Sequence, residues 1–312
     1  MPAPVKTRPE RKPPPLVFAC DRSFAMPLAT ALRSVVEANP GAWPMEVSVL
    51  AHGFPRSLRR HVTDSLPSGG ARIRWVDVDL DAFSGFRTNQ GVSEATYARL
   101  LIPGMFPHSV LRVLYLDADL LVLGDLNWLW EMDLEGAVAG AVLDRLDAKI
   151  KRGVPGLEAV PRVSSYFNAG VLLIDLVRWR EEKISEKAME YLTMHPQSPF
   201  SDQDALNFAC DGLWKNLDAR WNFQGHYETD IAQLATEQRP SIIHFATSRK
   251  PWDATCGNPN AALFDAYRSR TRFARTPWDK TRDQVSCHWS KFKGALKRWS
   301  SIHTVCRRIS AD

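Results

Sequence analysis

The chain has 312 residues, 45% of them hydrophobic and 24% charged. That is enough to bury one large core, and too apolar for a disordered, collagen-like or small disulfide-stapled protein. The net charge of +5 is concentrated at the ends: residues 1–15 carry four basic groups and one acid, residues 287–312 carry six and one, and 16–286 are left at −3. A slightly acidic body with two basic ends argues against a nucleic-acid partner and for visits to anionic membrane surfaces.

Six prolines in the first fifteen residues exclude a packed helix or a central strand, so 1–15 reads as a disordered, proline-rich extension. The N-terminus has no apolar stretch that could act as a signal-peptide core, and nowhere do uncharged apolar residues run on for the length of a spanning helix, so the expectation is a protein neither secreted by that route nor crossing a membrane. Cysteines at 20, 210, 256, 287 and 306 form no C-x-x-C pair. This speaks against structural zinc and a disulfide framework, and for a reducing cytosol.

From Leu16 onward, short apolar runs alternate with helix-period segments. Strands are predicted at 16–20, 45–53 and 73–79, and helices at 25–38, 56–66 and 94–106. This βαβαβ order predicts an α/β fold with a mostly parallel sheet covered on both faces, which takes ligands at the carboxyl ends of its strands. Next comes RVLYLDADLLVL (112–123), an apolar strand interrupted by Asp117 and Asp119. In a strand, residues i and i+2 face the same way, so both carboxylates can reach one ion. Hard oxygen ligands with no nearby cysteine favour magnesium or manganese over zinc. Further strands are predicted at 137–144, 168–176 and 241–246, and helices at 184–194 and 202–210; there is no internal repeat.

The tail differs in kind. Between Trp289 and Ile309, apolar residues recur every three or four positions while Lys291, Lys293, Lys297, Arg298, Arg307 and Arg308 crowd the remaining surface. With two tryptophans in it, this pattern predicts a basic amphipathic helix at a membrane surface rather than a helix packed on the body.

A D-x-D after an apolar strand also occurs in haloacid-dehalogenase phosphatases, but there the strand lies near the start of the fold and is followed by Gly-Thr or a similar pair. Here Leu120-Leu121 follows and three strands precede. The ordered motifs VFACD (17–21), TYARL (96–100), YLDADLLVLGDL (115–126), YFNAGVLLIDLVRWR (166–180), SDQDALN (201–207) and IIHFATSRKPW (242–252) resemble the bacterial family 8 glycosyltransferases, most of all the lipooligosaccharide α-galactosyltransferases.

The resemblance covers 16–256 and implies a GT-A catalytic domain there; beyond it the chain is read as a linker with helical closure at 257–286 and, from its own pattern, the membrane-associating tail at 287–312. It implies a retaining hexosyltransferase using UDP-galactose or UDP-glucose with Mn²⁺, Mg²⁺ being possible, and a saccharide or glycolipid acceptor. Lipopolysaccharide would be that acceptor for a cytoplasmic enzyme peripheral on the inner membrane. The competing readings are a soluble UDP-glucosyltransferase acting on a small molecule or a protein, and a non-catalytic sugar-nucleotide binder.

Residue by residue, the likeness makes Asp117, Asp119 and His244 metal ligands, and gives Lys250 a point charge for the donor diphosphate. Thr247 stands where the family has a glycine close to phosphate. Ala19, Asp21 and Ser23 would lie at the uridine, with Ser23 replacing an asparagine of many relatives. Arg99 and Ala118 belong to the donor site, and Asp144, Asn168 and Ala169 to the sugar pocket. Asp202 and Gln203 would lie at the anomeric carbon. From the residues alone, Ser201 could instead cap a helix whose dipole Asp202 and Asp204 compensate. An amide is a feeble nucleophile, so a front-face reaction is favoured over a covalent intermediate on Asp202.

Overall fold

The computed structural model describes residues 14–88, 93–247, 250–253, 257–279 and 281–282. The expected extension up to residue 13 and the amphipathic tail at 287–312 lie outside the described residues.

Three parallel strands open the fold: β1 (Leu16–Asp21), β2 (Met45–His52) and β3 (Ala71–Asp77), joined through α1 (Ala25–Ala38) and α2 (Arg56–Thr63). Alternation along β1 explains why the sheet is covered on both sides. Leu16 and Phe18 face the layer of Leu28, Leu32 and Val35 from α1, and Val17 and Ala19 face Tyr97, Tyr115 and Leu172. β4 (Arg112–Leu116), β6 (Ala139–Leu143), β7 (Phe167–Asp175) and β8 (Trp214–Asn216) complete a seven-stranded sheet of order β3-β2-β1-β4-β7-β6-β8. The pairings β1–β4 and β6–β8 are parallel; β7 alone runs antiparallel, to β4 on one side and β6 on the other.

The apolar run 112–123 is two strands rather than the expected one. β4 ends at Leu116, and β5 (Leu120–Val122) leaves the main sheet to form an antiparallel ribbon with β9 (Ile242–His244), in which Leu120 stands opposite His244. The backbone crosses between sheets at the D-A-D: Asp117 N–H still donates to Gly170 C=O of the main sheet, while Asp119 C=O already accepts from Phe245 N–H beside the ribbon. Two carboxylates are too costly to bury within a dry ladder, and the crossing turns them into a cleft instead.

The segment 94–106 begins as a 3-10 helix, Glu94–Leu101, capped where Ser93 Oγ accepts from Ala95 N–H, and only Ile102–Met105 (α3) is α-helical. Such a long 3-10 run is uncommon and points to a locally specialised segment; it carries Arg99. The short α4 (Asn127–Trp130), α5 (Asp147–Lys151) and α6 (Leu176–Glu181) connect the strands. α7 (Ile184–Met194) and α8 (Asp202–Ala209) pack on each other, and α9 (Ala261–Arg268) packs on α1, burying Phe264 beneath the ribbon with Ile243 and Phe245. Among the described residues no helix is long and apolar enough to cross a membrane.

Candidate active site

The carboxyl ends of β1, β4 and β6 open into a cleft of about 660 Å³. Of the residues singled out from the sequence, Ala19, Asp21, Arg99, Asp117, Ala118, Asp119, Asp144, Asn168, Asp202, Gln203, His244, Thr247 and Lys250 all line it. Two do not. Ser23 spends its hydroxyl and its N–H on Asp21 Oδ1 (2.5 and 2.7 Å), so it holds Asp21 rather than forming the wall. Ala169 follows Asn168 on β7 and therefore turns its methyl into the core; its backbone still serves the cleft, the N–H donating to Gln203 Oε1 and the C=O accepting from Arg99.

Asp117, Asp119 and His244 form one group in the cleft, with one ligand atom of each within 4.8 Å of the others. His244 Nε2 is 3.3 Å from Asp119 Oδ1 and 3.7 Å from Asp117 Oδ2. The close approach depends on Gly170: a Cβ there would come 2.1 Å from His244 Cε1 and 2.8 Å from Asp117 Oδ2. Burial pushes the Asp119 carboxyl up, but the Lys250 ammonium beside it overrides this and holds it far below the usual carboxylate range. Lys250 Nζ lies 2.5 Å from Asp119 Oδ2 and donates to Phe245 C=O (2.8 Å).

Arg99 forms the floor. An arginine on a helix ordinarily lies on the solvated face, yet this one is 6% exposed. Its guanidinium stacks over Tyr115, donates to Ala169 C=O at 2.6 Å, and pairs with both Asp117 (3.1 Å) and Asp202 (2.8 Å). Burial raises the Asp202 carboxyl to about 6 against the pull of Arg99. Thr96 Oγ1 donates to Asp202 Oδ1 (2.7 Å); the Arg99 Nε–H is directed at Thr96 C=O, so Asp202 Oδ2 has an ion-pair partner but no hydrogen-bond donor among the described residues.

α8 starts at Asp202, which lets Asp202 and Gln203 both face the cleft despite their divergence of about 100° along a helix. Ser201 occupies the cap position, yet its hydroxyl goes to Arg87 C=O and its φ is +56°, a costly backbone for serine. Asp204 does not merely face the helix dipole: it is fully buried and accepts from Tyr166 OH, Ser198 Oγ and Phe200 N–H. Gln203 Nε2 faces Asp144 Oδ2 (3.2 Å), which also accepts from Asn168 Nδ2 (2.9 Å).

Sequence reasoning missed Thr96, Gly170, Tyr166, Gln224 and Asn222. The first three lie inside the quoted motifs, where only the neighbouring residues were singled out. Asn222, between two aromatics, gave no signal. Arg145 and Lys149 also line the cleft, Arg145 paired with Glu228 at 2.7 Å.

In architecture and cleft this is a GT-A glycosyltransferase. The crystal structure of the galactosyltransferase LgtC with donor and acceptor sugar analogues superposes with a TM-score of 0.72 at 29% identity, over 86% of this chain and 99% of that one. The chain belongs to glycosyltransferase family 8, whose profile, described as glycosyl transferase family 8, matches residues 15–256. General stress protein A of Bacillus subtilis (strain 168) is 26% identical, over 83% of this chain and 94% of its own length. Lipopolysaccharide 1,2-glucosyltransferase of Escherichia coli (strain K12) is 28% identical, over 87% of this chain and 81% of its own. Other relatives are longer, the match spanning 61% and 58% of two pneumococcal glycosyltransferases.

Proposed function

We propose that this family 8 enzyme is a metal-dependent, retaining hexosyltransferase that moves galactose or glucose from a UDP-sugar to a saccharide acceptor in lipopolysaccharide synthesis. The observation that carries the reading is one cleft lined both by the Asp117, Asp119 and His244 group and by Asp202 and Gln203, with Arg99 paired to Asp117 and Asp202 alike. Relatives named as lipopolysaccharide glucosyltransferase and as galactosyltransferase support the hexose and the acceptor class.

The three side chains fit a divalent ion: two carboxylates and an imidazole are a hard donor set, and Gly170 keeps clear the space that a Cβ would take. Asp117, Asp119 and His244 would hold Mn²⁺, which supplies charge neutralisation at a diphosphate leaving group. Lys250 adds a mobile positive charge on the same side. Asp144 and Asn168 would hold sugar hydroxyls.

The hydrogen bonding favours the front-face route. Gln203 Oε1 is occupied by Ala169 N–H, and Asp202 is buried, ion-paired and hydrogen-bonded, which blunts both as nucleophiles. The bond from the anomeric carbon to the diphosphate oxygen breaks, the acceptor oxygen bonds to that carbon on the same face, and the acceptor's proton passes to the departing oxygen. The basic tail would bring the enzyme to the inner face of the membrane that carries the acceptor.

A donor screen that follows UDP release with and without Mn²⁺, then NMR of the product's anomeric configuration, tests this. Mn²⁺-dependent release and an α-linked product are expected, with both transfer and donor hydrolysis lost in Asp119→Asn while the circular dichroism spectrum is kept. Wild-type turnover in that variant, or an inverted product, would remove the reading.

A further inference from the structure

Two consecutive backbone amides of β7 set the orientation of the side-chain amides around the cleft. Ala169 N–H donates to Gln203 Oε1 and Gly170 N–H donates to Asn168 Oδ1, each at 3.0 Å. A backbone N–H only donates, so neither amide can be flipped. Gln203 Nε2 and Asn168 Nδ2 therefore both point to Asp144 Oδ2.

Asn168 Oδ1 meets a second side chain, Asn222, at 2.8 Å, and since that oxygen accepts, Asn222 must present its NH₂ there. Its own oxygen is left facing His244 Nδ1 at 2.9 Å. An oxygen at that distance requires the proton on Nδ1, and Nε2 is then free to offer its lone pair between Asp117 and Asp119. Asn222 is 1% exposed, and backbone hydrogen bonds from Phe223 to Ile242 and from His244 to Phe223 hold it beside β9.

We infer that Asn222 is a positioning residue that links the sugar-side amides to the imidazole of the metal group, so that one relay anchored on two backbone N–H groups sets both halves of the cleft. The inference rests on the metal-dependent reading above. It gives different fates to two substitutions at one position. Asn222→Ala removes the acceptor for Nδ1–H, and loss of such an outer partner weakens metal binding about 10–100-fold. Asn222→Asp keeps an oxygen on Nδ1 but turns another onto Asn168 Oδ1, which disturbs the sugar side alone.

The experiment titrates the full-length chain with Mn²⁺ in the absence of nucleotide by isothermal calorimetry, and measures kcat with UDP-sugar for both variants. Expected are about 10–100-fold weaker Mn²⁺ binding in Asn222→Ala, and in Asn222→Asp Mn²⁺ binding at least as tight as the unaltered chain with a lowered kcat. A general loss of structure would lower both quantities together in both variants. Asn222→Ala binding Mn²⁺ like the unaltered chain, or Asn222→Asp keeping full turnover or losing the metal as the alanine variant does, overturns the relay. If the unaltered chain binds no Mn²⁺, the proposed function itself fails and takes this inference with it. A measurement on the unaltered chain needs no variant to fold: ring ¹⁵N NMR of His244 with diamagnetic Mg²⁺ bound should show Nδ1–H, and an Nε2–H tautomer would overturn the assignment.

Discussion

Lys250 stands where two functions compete. The family resemblance gives it to the donor diphosphate, while the structure sets its ammonium against Asp119 Oδ2 and Phe245 C=O. A cation entering beside Asp117, Asp119 and His244 must share Asp119 with that ammonium and meet its like charge at short range. Lys250→Met should therefore bind Mn²⁺ alone more tightly, on the order of tenfold, while donor affinity falls; calorimetry with each ligand separately reads both, and equal or weaker Mn²⁺ binding would show that the pair is no obstacle. At this scale the sequence was most legible where a residue type is expensive to bury. Two acids in an apolar run and a histidine at a strand end announce chemistry before any fold is known. Asn222 does not, because an asparagine between Trp221 and Phe223 reads as a loop residue, and its value lies wholly in which tertiary neighbours it faces.

Periodicity made the principal strands and helices legible, since each buries one face or one stripe. It did not reveal the break at Ala118, because LYL and LLVL are equally apolar whether they pair in one sheet or two. Nor did it show that β7 runs antiparallel: NAGVLLID is buried on both faces, and a fully buried strand reads the same in either direction. The closure beyond residue 256 rests on a polar node that periodicity cannot show. Asn260 Nδ2 donates to the backbone of His226 and Thr229, its Oδ1 accepts from Ile231 N–H, and Asn258 Nδ2 faces His226 Nδ1. His226 is fully buried with Nε2 unpartnered among the described residues, and burial above all, with the positive charge of Lys250, lowers its pKa to about 4. A histidine harder to protonate folded than unfolded lends stability that is full above pH 6.5 and lost as pH falls toward 4. His226→Phe keeps a ring against Phe245 but abandons Asn258, so it should cost about 1 kcal/mol at neutral pH. The gap to the unaltered chain should then narrow between pH 6.5 and 4 in thermal unfolding; a gap constant with pH would mean that His226 does not titrate with folding.

At the scale of the whole molecule, charge is distributed in a way that catalysis does not require. Around the cleft Arg99 pairs with Asp117 and Asp202, Lys250 with Asp119 and Arg145 with Glu228. Residues 16–286 carry −3, whereas 287–312 carry six basic groups and one acid. Near an anionic leaflet each basic group contributes about 1 kcal/mol, within a Debye length and sensitive to salt. Six of them interleaved with Trp289, Phe292, Leu296 and Trp299 would combine that attraction with burial of apolar area, whereas the acidic body would be repelled. The full chain is therefore expected to sediment with vesicles rich in phosphatidylglycerol, to bind phosphatidylcholine vesicles much less, and to be partly released by high salt. Deleting 287–312 should abolish sedimentation while leaving transfer to a soluble acceptor intact, because none of the described cleft residues is lost. If the shortened chain pellets as well as the full one, membrane attraction resides in the folded body and the tail has another purpose.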